Sequence, residues 1–434
     1  MASVGAPKAS EEAKSTFRLL VVSSDTYPPT RVDVSVLFGE ELARSGHRID
    51  WILQSADACE KPYTAEWGGG RVWVGATDLG TRLVHRLRKH FRSLLNDLRV
   101  FARCRSREYD IVEVKDKFIA GLFAVLASRL FKVRFVYWLS WPFPEQYLTQ
   151  ARDGTARYPI LYLIRGSIFK FLLYRILLPS ADHVFVQSAQ MRKDVAAEGI
   201  PLPKLTAVPM GIKLSTFSQN RSGASQPYIP EGERSILYLG ILVKVRRIDF
   251  LVRVLALVRK EIPDAKLYLV GRGEDPSDEQ VLVAEAERLG ILPAVVFTGQ
   301  LPWVEALEYV QQAEVCVSPF YPIPILNSTS PTKLVEYMAM GRPVVANDHP
   351  EQRLLIEESG AGFCVPWDEE AFARAIVDLM KDPQRAREMG ERGPPYVAKH
   401  REYSIIARLV EREMLRISGS GHSLGGPGAA RGNR

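Results

Sequence analysis

Residues 327–348, NSTSPTKLVEYMAMGRPVVAND, hold three kinds of local structure in a row. Asn327 to Thr332 is small, polar and turn-forming. Lys333 to Met340 has helical spacing, with Pro331 near the first turn, where a missing N–H costs little. Gly341 stops the helix, and Pro343 to Ala346 has the apolar, β-branched composition of a buried strand. A hydroxyl-rich loop that feeds a helix N-terminus is an anion site, because unpaired N–H groups and the helix dipole both face the loop. Lys333 adds a formal charge there. Glu336 sits one turn on, on the same side of the helix. A capped helix leading into a core strand would read the same way, so the stretch alone decides the loop–helix–strand order and leaves the ligand open.

Working outward, the pattern repeats on both sides. Strands are predicted at Ser235 to Leu239, Lys266 to Val270, Val295 to Thr298, Glu314 to Ser318 and Pro343 to Ala346. Helices are predicted between them at Asp249 to Glu261 and Trp303 to Ala313, then at Glu369 to Lys381 and Tyr403 to Ile417. In the first half, Arg18 to Ser24, Ile49 to Leu53, Asp110 to Val114, Val133 to Trp138, His183 to Gln187 and Leu205 to Pro209 are strand-like. Val34 to Ser45 and Phe118 to Phe131 are helical. Alternating strand and helix gives parallel βαβ units. The expected architecture is α/β, with two doubly wound, Rossmann-like domains facing a central cleft. They occupy 18–212 and 233–400, joined by a Ser/Gln/Gly/Pro-rich linker at 213–232. A C-terminal helix follows at 401–417, and disordered ends are expected at 1–17 and 418–434. Ligands in such sheets bind outside the carboxyl ends of the strands.

The chain has 434 residues, 46% hydrophobic and 25% charged, an ordinary globular balance. Its four cysteines are far apart in sequence with no C-x-x-C pair, which fits reduced thiols in an intracellular protein. The polar, mixed-charge start does not have the pattern of a secretory signal, and no uncharged 18-residue apolar run is present. The net charge of +7 is unevenly spread: residues 18–212 carry 28 Lys/Arg and 19 Asp/Glu, whereas 233–400 carry 19 and 25. A basic first half and an acidic second half point to different partners.

A second cationic cluster, Lys244, Arg246 and Arg247, lies between the Ser235–Leu239 strand and the helix from Asp249. Two cationic groups and a helix N-terminus suit a diphosphate, although a solvated turn would carry the same charges. Four segments then stand in order: Tyr238-Leu-Gly240 with its basic turn, Leu269-Val-Gly-Arg-Gly273, Val296-Phe-Thr-Gly299, and Ser330-Pro-Thr-Lys-Leu-Val-Glu-Tyr-Met-Ala-Met-Gly-Arg-Pro-Val-Val345. Together they resemble the donor domain of the retaining glycosyltransferases of family 4, which have the GT-B fold. Tyr27-Pro-Pro29, Leu42 to His47 and Val208-Pro-Met-Gly211 extend a looser resemblance into the first half.

The resemblance implies transfer of a sugar from a nucleoside diphosphate donor, most often UDP, with retention and with no metal or other cofactor. It assigns Glu336 to the ribose hydroxyls and Lys333 to the diphosphate. Arg246 or its neighbour Arg247 matches the diphosphate cation, with Lys244 in the same turn. Gly299, Gln300 and Leu301 are implied to meet the base. Ser328, Thr329, Ser330, Thr332 and Leu334 line the donor loop. Ser328 stands where the family has the first carboxylate of its Glu-x7-Glu motif, the one that touches the donor sugar. Ile241 replaces a usual arginine, and Arg31-Val-Asp33 replaces a Gly-Gly loop, so Arg31 could supply charge in place of glycine N–H groups. Ser140-Trp-Pro-Phe-Pro-Glu145 occupies the region of a frequent histidine.

On the acceptor side, Arg82 to Arg107 holds nine Lys/Arg and one acid, with Leu83, Leu87, Phe91, Leu94, Leu95, Leu98 and Phe101 as a helical stripe. Tyr158 to Leu178 is apolar but broken by Arg165, Lys170 and Arg175. Such helices either lie in a membrane interface or pack their stripes on the core. The interfacial reading implies a glycan or lipid-linked acceptor in polysaccharide or glycan biosynthesis. It also implies peripheral contact of the basic first domain with the inner, cytoplasmic face of the cell membrane. A non-catalytic nucleotide-sugar-binding subunit and a sugar-nucleotide epimerase are the alternatives. No acid/base dyad favours the epimerase, and no nucleic-acid-binding motif is present.

Overall fold

A computed structural model describes residues 16–219 and 228–419. The expected terminal segments fall almost wholly outside these residues, as does the middle of the expected linker. Where the linker is described it is partly ordered: Leu214–Gln219 is a helix. Phe217 and Ile229 are buried in one cluster with Leu237 and Val310. The polar composition around them concealed two apolar anchors. Phe17, counted with the polar N-terminus, is likewise fully buried and stacks on His47 at 3.8 Å.

By contacts the chain forms two compact units. One holds the described residues up to Thr30, Phe38–Val136 and Arg408 onward, and the other holds Arg31–Leu37 and Tyr137–Ala407. The first sheet contains β1 (Arg18–Tyr27), β2 (Arg48–Ser55), β3 (Tyr63–Trp67), β4 (Gly70–Gly75), β5 (Ile111–Lys115), β6 (Arg134–Leu139), β7 (His183–Val186) and β8 (Leu205–Ala207), in the order β3-β4-β2-β1-β5-β6-β7-β8. The second contains β9 (Ser235–Leu239), β10 (Lys266–Val270), β11 (Val295–Gly299), β12 (Val315–Ser318), β13 (Val344–Asn347) and β14 (Gly362–Val365), in the order β11-β10-β9-β12-β13-β14. Counted from β9, this is the 3-2-1-4-5-6 order of a doubly wound nucleotide-binding sheet, with its switch point between β9 and β12.

Parallel strands are buried on both faces, which is why they read as continuous apolar runs. Tyr238 faces Leu269 across β9–β10, and Leu237 faces Cys316 across β9–β12. The Asp249–Glu261 helix covers this sheet with Phe250, Leu251, Val254, Leu255 and Val258, all buried at helical spacing. Each such side chain contributes roughly 1.5–3 kcal/mol by burial.

Two differences from the sequence reading have simple causes. β1 continues through Asp25 to Tyr27, past a register shift between Val22 and Thr26, where a loop was expected. The β3–β4 hairpin was not foreseen. It turns at Gly68 and Gly69, both at positive φ, which is the Gly-Gly signal of a two-residue turn. Exposed, mixed-polarity residues on β3 hid it.

Candidate active site

The carboxyl ends of β9, β10 and β11 are drawn together by glycine. Gly240 N–H donates to the Val270 carbonyl at 2.9 Å, and Gly271 N–H donates to the Gly299 carbonyl at 3.1 Å. Gly240 and Gly271 have φ of 148° and 141°, and a Cβ on Gly271 would lie 2.1 Å from the Gly240 oxygen. No other residue permits that approach. The three Gly-containing segments of the sequence are therefore one structural device. Beside it lies a pocket of about 720 Å3, whose walls include Gly240, Arg272, Gln300, Leu301 and Trp303.

Across the β9–β12 switch, Tyr238 occupies the end of β9 and is fully buried. Its hydroxyl accepts from Lys333 Nζ at 3.0 Å and donates to the Ile241 carbonyl at 3.3 Å. Burial raises the Tyr238 pKa, and the positive charge of Arg246 opposes that rise. The Lys333 ammonium lies 4.2 Å from the Tyr238 ring centre and 5.2 Å from that of Phe320. Burial, reinforced by Arg246 and only partly offset by Glu336, holds the Lys333 pKa well below the ordinary lysine range. Burial likewise raises Glu336 above the usual carboxylate range, against the indole hydrogen bond from Trp303 and the charge of Lys333. Tyr337 fixes the frame by accepting the Leu239 N–H at 2.7 Å. The result is two neighbouring basic groups, Lys333 on the Tyr238 hydroxyl and Arg246 near it, set before a helix, Thr332–Ala339, that has no side-chain cap. Desolvated like charges of this kind are stabilised by an anion.

Lys244 and Arg247 are directed elsewhere. Lys244 Nζ bonds Ser277 Oγ at 2.7 Å, and Arg247, at a φ of 52°, pairs with Asp249 at 3.0 Å. Of the basic turn, Arg246 is thus the residue that joins Lys333.

The chain matches two family descriptions: "Glycosyl transferase 4-like domain" over residues 36–211 and "Glycosyl transferases group 1" over 233–382. The alpha-monoglucosyldiacylglycerol synthase of Streptococcus pneumoniae is 27% identical over 63% of this chain and 59% of that protein. A phosphatidyl-myo-inositol mannosyltransferase of Mycolicibacterium smegmatis is 28% identical over 51% of this chain and 55% of that protein. The chain thus spans just over half the length of these curated relatives. Among solved structures, the sucrose-phosphate synthase of Thermosynechococcus elongatus aligns with a TM-score of 0.71 at 21% identity, covering 93% of this chain and all of that one. Anabaena HepE, in complex with UDP, aligns with a TM-score of 0.67 at 14% identity, covering 92% of this chain and all of that one. The chain belongs to glycosyltransferase family 4.

Its fold is GT-B. Against that family pattern, the hydroxyls of the loop in this glycosyltransferase chain are largely engaged by other residues of the chain. Ser328 donates to the Asp194 carboxylate, and its carbonyl accepts from Ser188 Oγ at 2.7 Å. Thr329 Oγ1 donates to the Leu326 carbonyl at 2.6 Å, and Ser330 Oγ accepts the Met210 N–H at 2.9 Å. Leu334 is fully buried in the core, so only its backbone is placed at the helix start. Thr332 opens that helix. Arg31 is bonded to Asp33 at 2.9 Å and to Ser140 at 3.4 Å. Among the described residues no group of three His, Cys, Asp or Glu could hold a metal ion.

Sequence reasoning missed Trp303, Arg272 and Asp194. Trp303 starts a helix on another strand's loop and meets Glu336 only in the fold. Arg272 was quoted within Gly-Arg-Gly but given no role. Asp194 carried no local signal at all.

Proposed function

We propose that this protein transfers a hexose from a UDP-sugar, with retention of configuration, to a lipid-linked acceptor at a membrane surface. The observation that carries this reading is the Lys333–Arg246–Tyr238 cluster beside Glu336, at the switch point of a 3-2-1-4-5-6 sheet and next to a 720 Å3 pocket. Lys333 and Arg246 take the diphosphate, together with the uncapped N–H groups of the Thr332–Ala339 helix. They hold the charge that grows on the leaving oxygen as the glycosidic bond breaks. Glu336 accepts from the two ribose hydroxyls, as a carboxylate with several free lone pairs can. Gln300, Leu301 and Trp303 enclose the base. The cations already placed there supply the charge stabilisation this mechanism asks for.

The lipid side of the reading is supported by two exposed apolar helix faces and by the names of the relatives. On Leu83–Asp97, the residues Leu83, Leu87, Phe91 and Leu95 are exposed, Leu83 to 72%. They form an i, i+4 stripe, flanked by Arg88, Lys89 and Arg92. On Pro159–Phe171, the residues Ile160, Ile164, Ile168 and Phe171 are exposed, Ile160 to 75%. These exposed faces support an interfacial reading, whereas Leu173, Tyr174, Leu177 and Leu178 at the end of the second segment are buried, so the core reading keeps that part. No helix among the described residues is long and apolar enough to cross a membrane. Surface contact from the cytoplasmic side fits the basic charge.

The deciding experiment incubates the purified protein with UDP-glucose and related donors, with and without diacylglycerol-containing vesicles. UDP release and the anomeric configuration of any product are followed by NMR. Slow UDP release alone, rising with acceptor, supports transfer. Donor binding without any UDP release points to a binding subunit instead.

A further inference from the structure

The loop between β10 and the Pro276–Arg288 helix lines the 720 Å3 pocket with Gly271, Arg272, Gly273 and Glu274. Its backbone is fixed at each step. The Gly271 N–H donates to the Gly299 carbonyl at 3.1 Å, and the Arg272 carbonyl accepts the Leu242 N–H at 3.0 Å. The Gly273 N–H donates to Glu279 Oε1 at 3.0 Å, and those of Glu274 and Asp275 donate to Asp278 Oδ2, each at 3.1 Å. A Cβ on Gly273 would come within 2.6 Å of the Asp278 Cβ, so the loop is pressed onto the start of the helix. The nearby acids are thus used by the fold: Asp278 and Glu279 hold the backbone, and Asp275 caps the helix by accepting the Ser277 N–H at 2.8 Å.

Arg272 and Glu274 are used by nothing in the fold. Both are exposed at the pocket wall, and neither side chain has a hydrogen bond or ion pair among the described residues. They carry opposite charges two positions apart and are not paired with each other. The cations assigned to the diphosphate, Lys333 and Arg246, do not line this pocket. A free cation and a free anion on one rigid loop suit a neutral group that offers an acceptor beside a donor.

We propose that Arg272 and Glu274 read the edge of the donor's nucleobase and select a base with a carbonyl oxygen next to a ring N–H. This rests on the nucleoside diphosphate reading of the pocket and adds the means by which the base is chosen. Arg272 donates to the carbonyl oxygen, and Glu274 accepts from the ring N–H. Uracil and guanine both present that edge. Cytosine and adenine present the reverse, an amino group beside an unprotonated ring nitrogen. There the guanidinium meets a donor and the carboxylate meets a lone pair, so both charged groups lose water without gaining a partner. Gln300 lines the same pocket, but its amide holds a donor and an acceptor and fits either edge.

The test is isothermal titration of the full chain with UDP, GDP, CDP and ADP, which share ribose and diphosphate and differ in base alone. The better of UDP and GDP is expected to bind about tenfold or more tighter than CDP and ADP. A preference for GDP over UDP would correct the base of the proposed donor and leave this proposal standing. Methylating the ring N–H of the preferred nucleotide should weaken its binding to wild type by about tenfold, but to Glu274→Ala by no more than about twofold. Arg272→Met should narrow the preference over CDP by about tenfold, and Arg272→Lys, which keeps a donor, should restore part of it. Both side chains are exposed and the loop is held through its backbone, so the melting temperatures should hold. Equal binding of UDP, GDP, CDP and ADP, tighter binding of CDP or ADP, or an unchanged preference in both variants overturns the proposal. Absence of binding by every nucleotide would overturn the donor reading itself, and this one with it.

Discussion

Lys333 is the residue at which physics and function meet most directly. The residue is 6% exposed, it lies near Arg246, and its ammonium is hydrogen-bonded to a tyrosine oxygen. Its pKa therefore lies well below 10.5, and above that lowered value the free protein holds it neutral. A bound diphosphate favours the charged form, so binding takes up a proton in the window between the lowered pKa and the ordinary one. The affinity for UDP should fall as pH rises through that window. Within that window the calorimetric heat of UDP binding should differ between buffers of different ionisation heat, in proportion to the protons taken up. Lys333→Met should bind more weakly and lose the buffer dependence, and a buffer-independent heat in wild type would refute the assignment. Glu336 gives a second test. Glu336→Ala removes two charge-assisted hydrogen bonds of roughly 1.5–3 kcal/mol each, so donor kcat/KM should fall about a hundredfold or more. Its melting temperature should hold, because burial already disfavours the charge that is removed. Normal turnover by that variant would mean the ribose contact lies elsewhere. Both residues could be picked out together in the sequence because they share one helix turn. Tyr238 and Trp303, which complete the cluster, come from β9 and from the loop after β11. A sequence carries no sign that they meet.

At the scale of elements, the helix Pro350–Ser359 is started by an uncommon cap. His349 accepts from the N–H groups of Glu351 and Gln352 and donates from its other nitrogen to the Leu326 carbonyl at 2.8 Å. It is fully buried, and burial lowers its pKa from 6.5 to about 4. The unfolded chain therefore binds a proton between about pH 6.5 and 4 that the native state refuses. Stability from this residue is complete above pH 6.5 and is lost as pH falls toward 4, at about 1.4 kcal/mol per pH unit. His349→Asn, which keeps a cap oxygen, should flatten the urea midpoint over that interval relative to wild type, and an unchanged pH slope would exclude His349 as its source. The cationic helix Leu83–Asp97 makes the opposite kind of prediction, about a face that the fold does not use. Leu87→Ser with Phe91→Ser should leave stability within about 0.5 kcal/mol per site, since both are exposed. The same change should cut partition onto anionic vesicles by at least tenfold, because burying each side chain contributes roughly 1.5–3 kcal/mol. Element identity was largely legible where strands were apolar on both faces. Boundaries failed where polar residues continue a strand, as Asp25 does, or where two apolar residues order a polar segment, as Phe217 and Ile229 do.

For the whole molecule, two doubly wound parallel sheets follow from the alternation of strand and helix, whereas the strand order, and with it the switch point between β9 and β12 where Lys333 and Tyr238 meet, comes from the fold. What the alternation could not supply is the partition of function by charge, which needs the fold to say which side chains remain at the surface. Residues 18–212 carry a surplus of cations and 233–400 a surplus of acids. The apolar helix stripes lie in the first stretch, and the cluster at Lys333 in the second. The two interactions should accordingly respond differently to salt. Attraction of exposed cations to an anionic bilayer falls off over a Debye length of about 10 Å at 0.1 M and 3 Å at 1 M. Lys333 and Arg246 act at contact distance in a desolvated site, where screening is much weaker. Raising salt from about 0.05 to 0.5 M should release most of the protein from anionic vesicles in co-sedimentation. Over the same range the UDP affinity should change far less, by only a few-fold. Equal loss of both would mean that the diphosphate is held by exposed charge rather than by the buried pair. Retention on vesicles at high salt would mean that the apolar stripes alone carry the membrane contact.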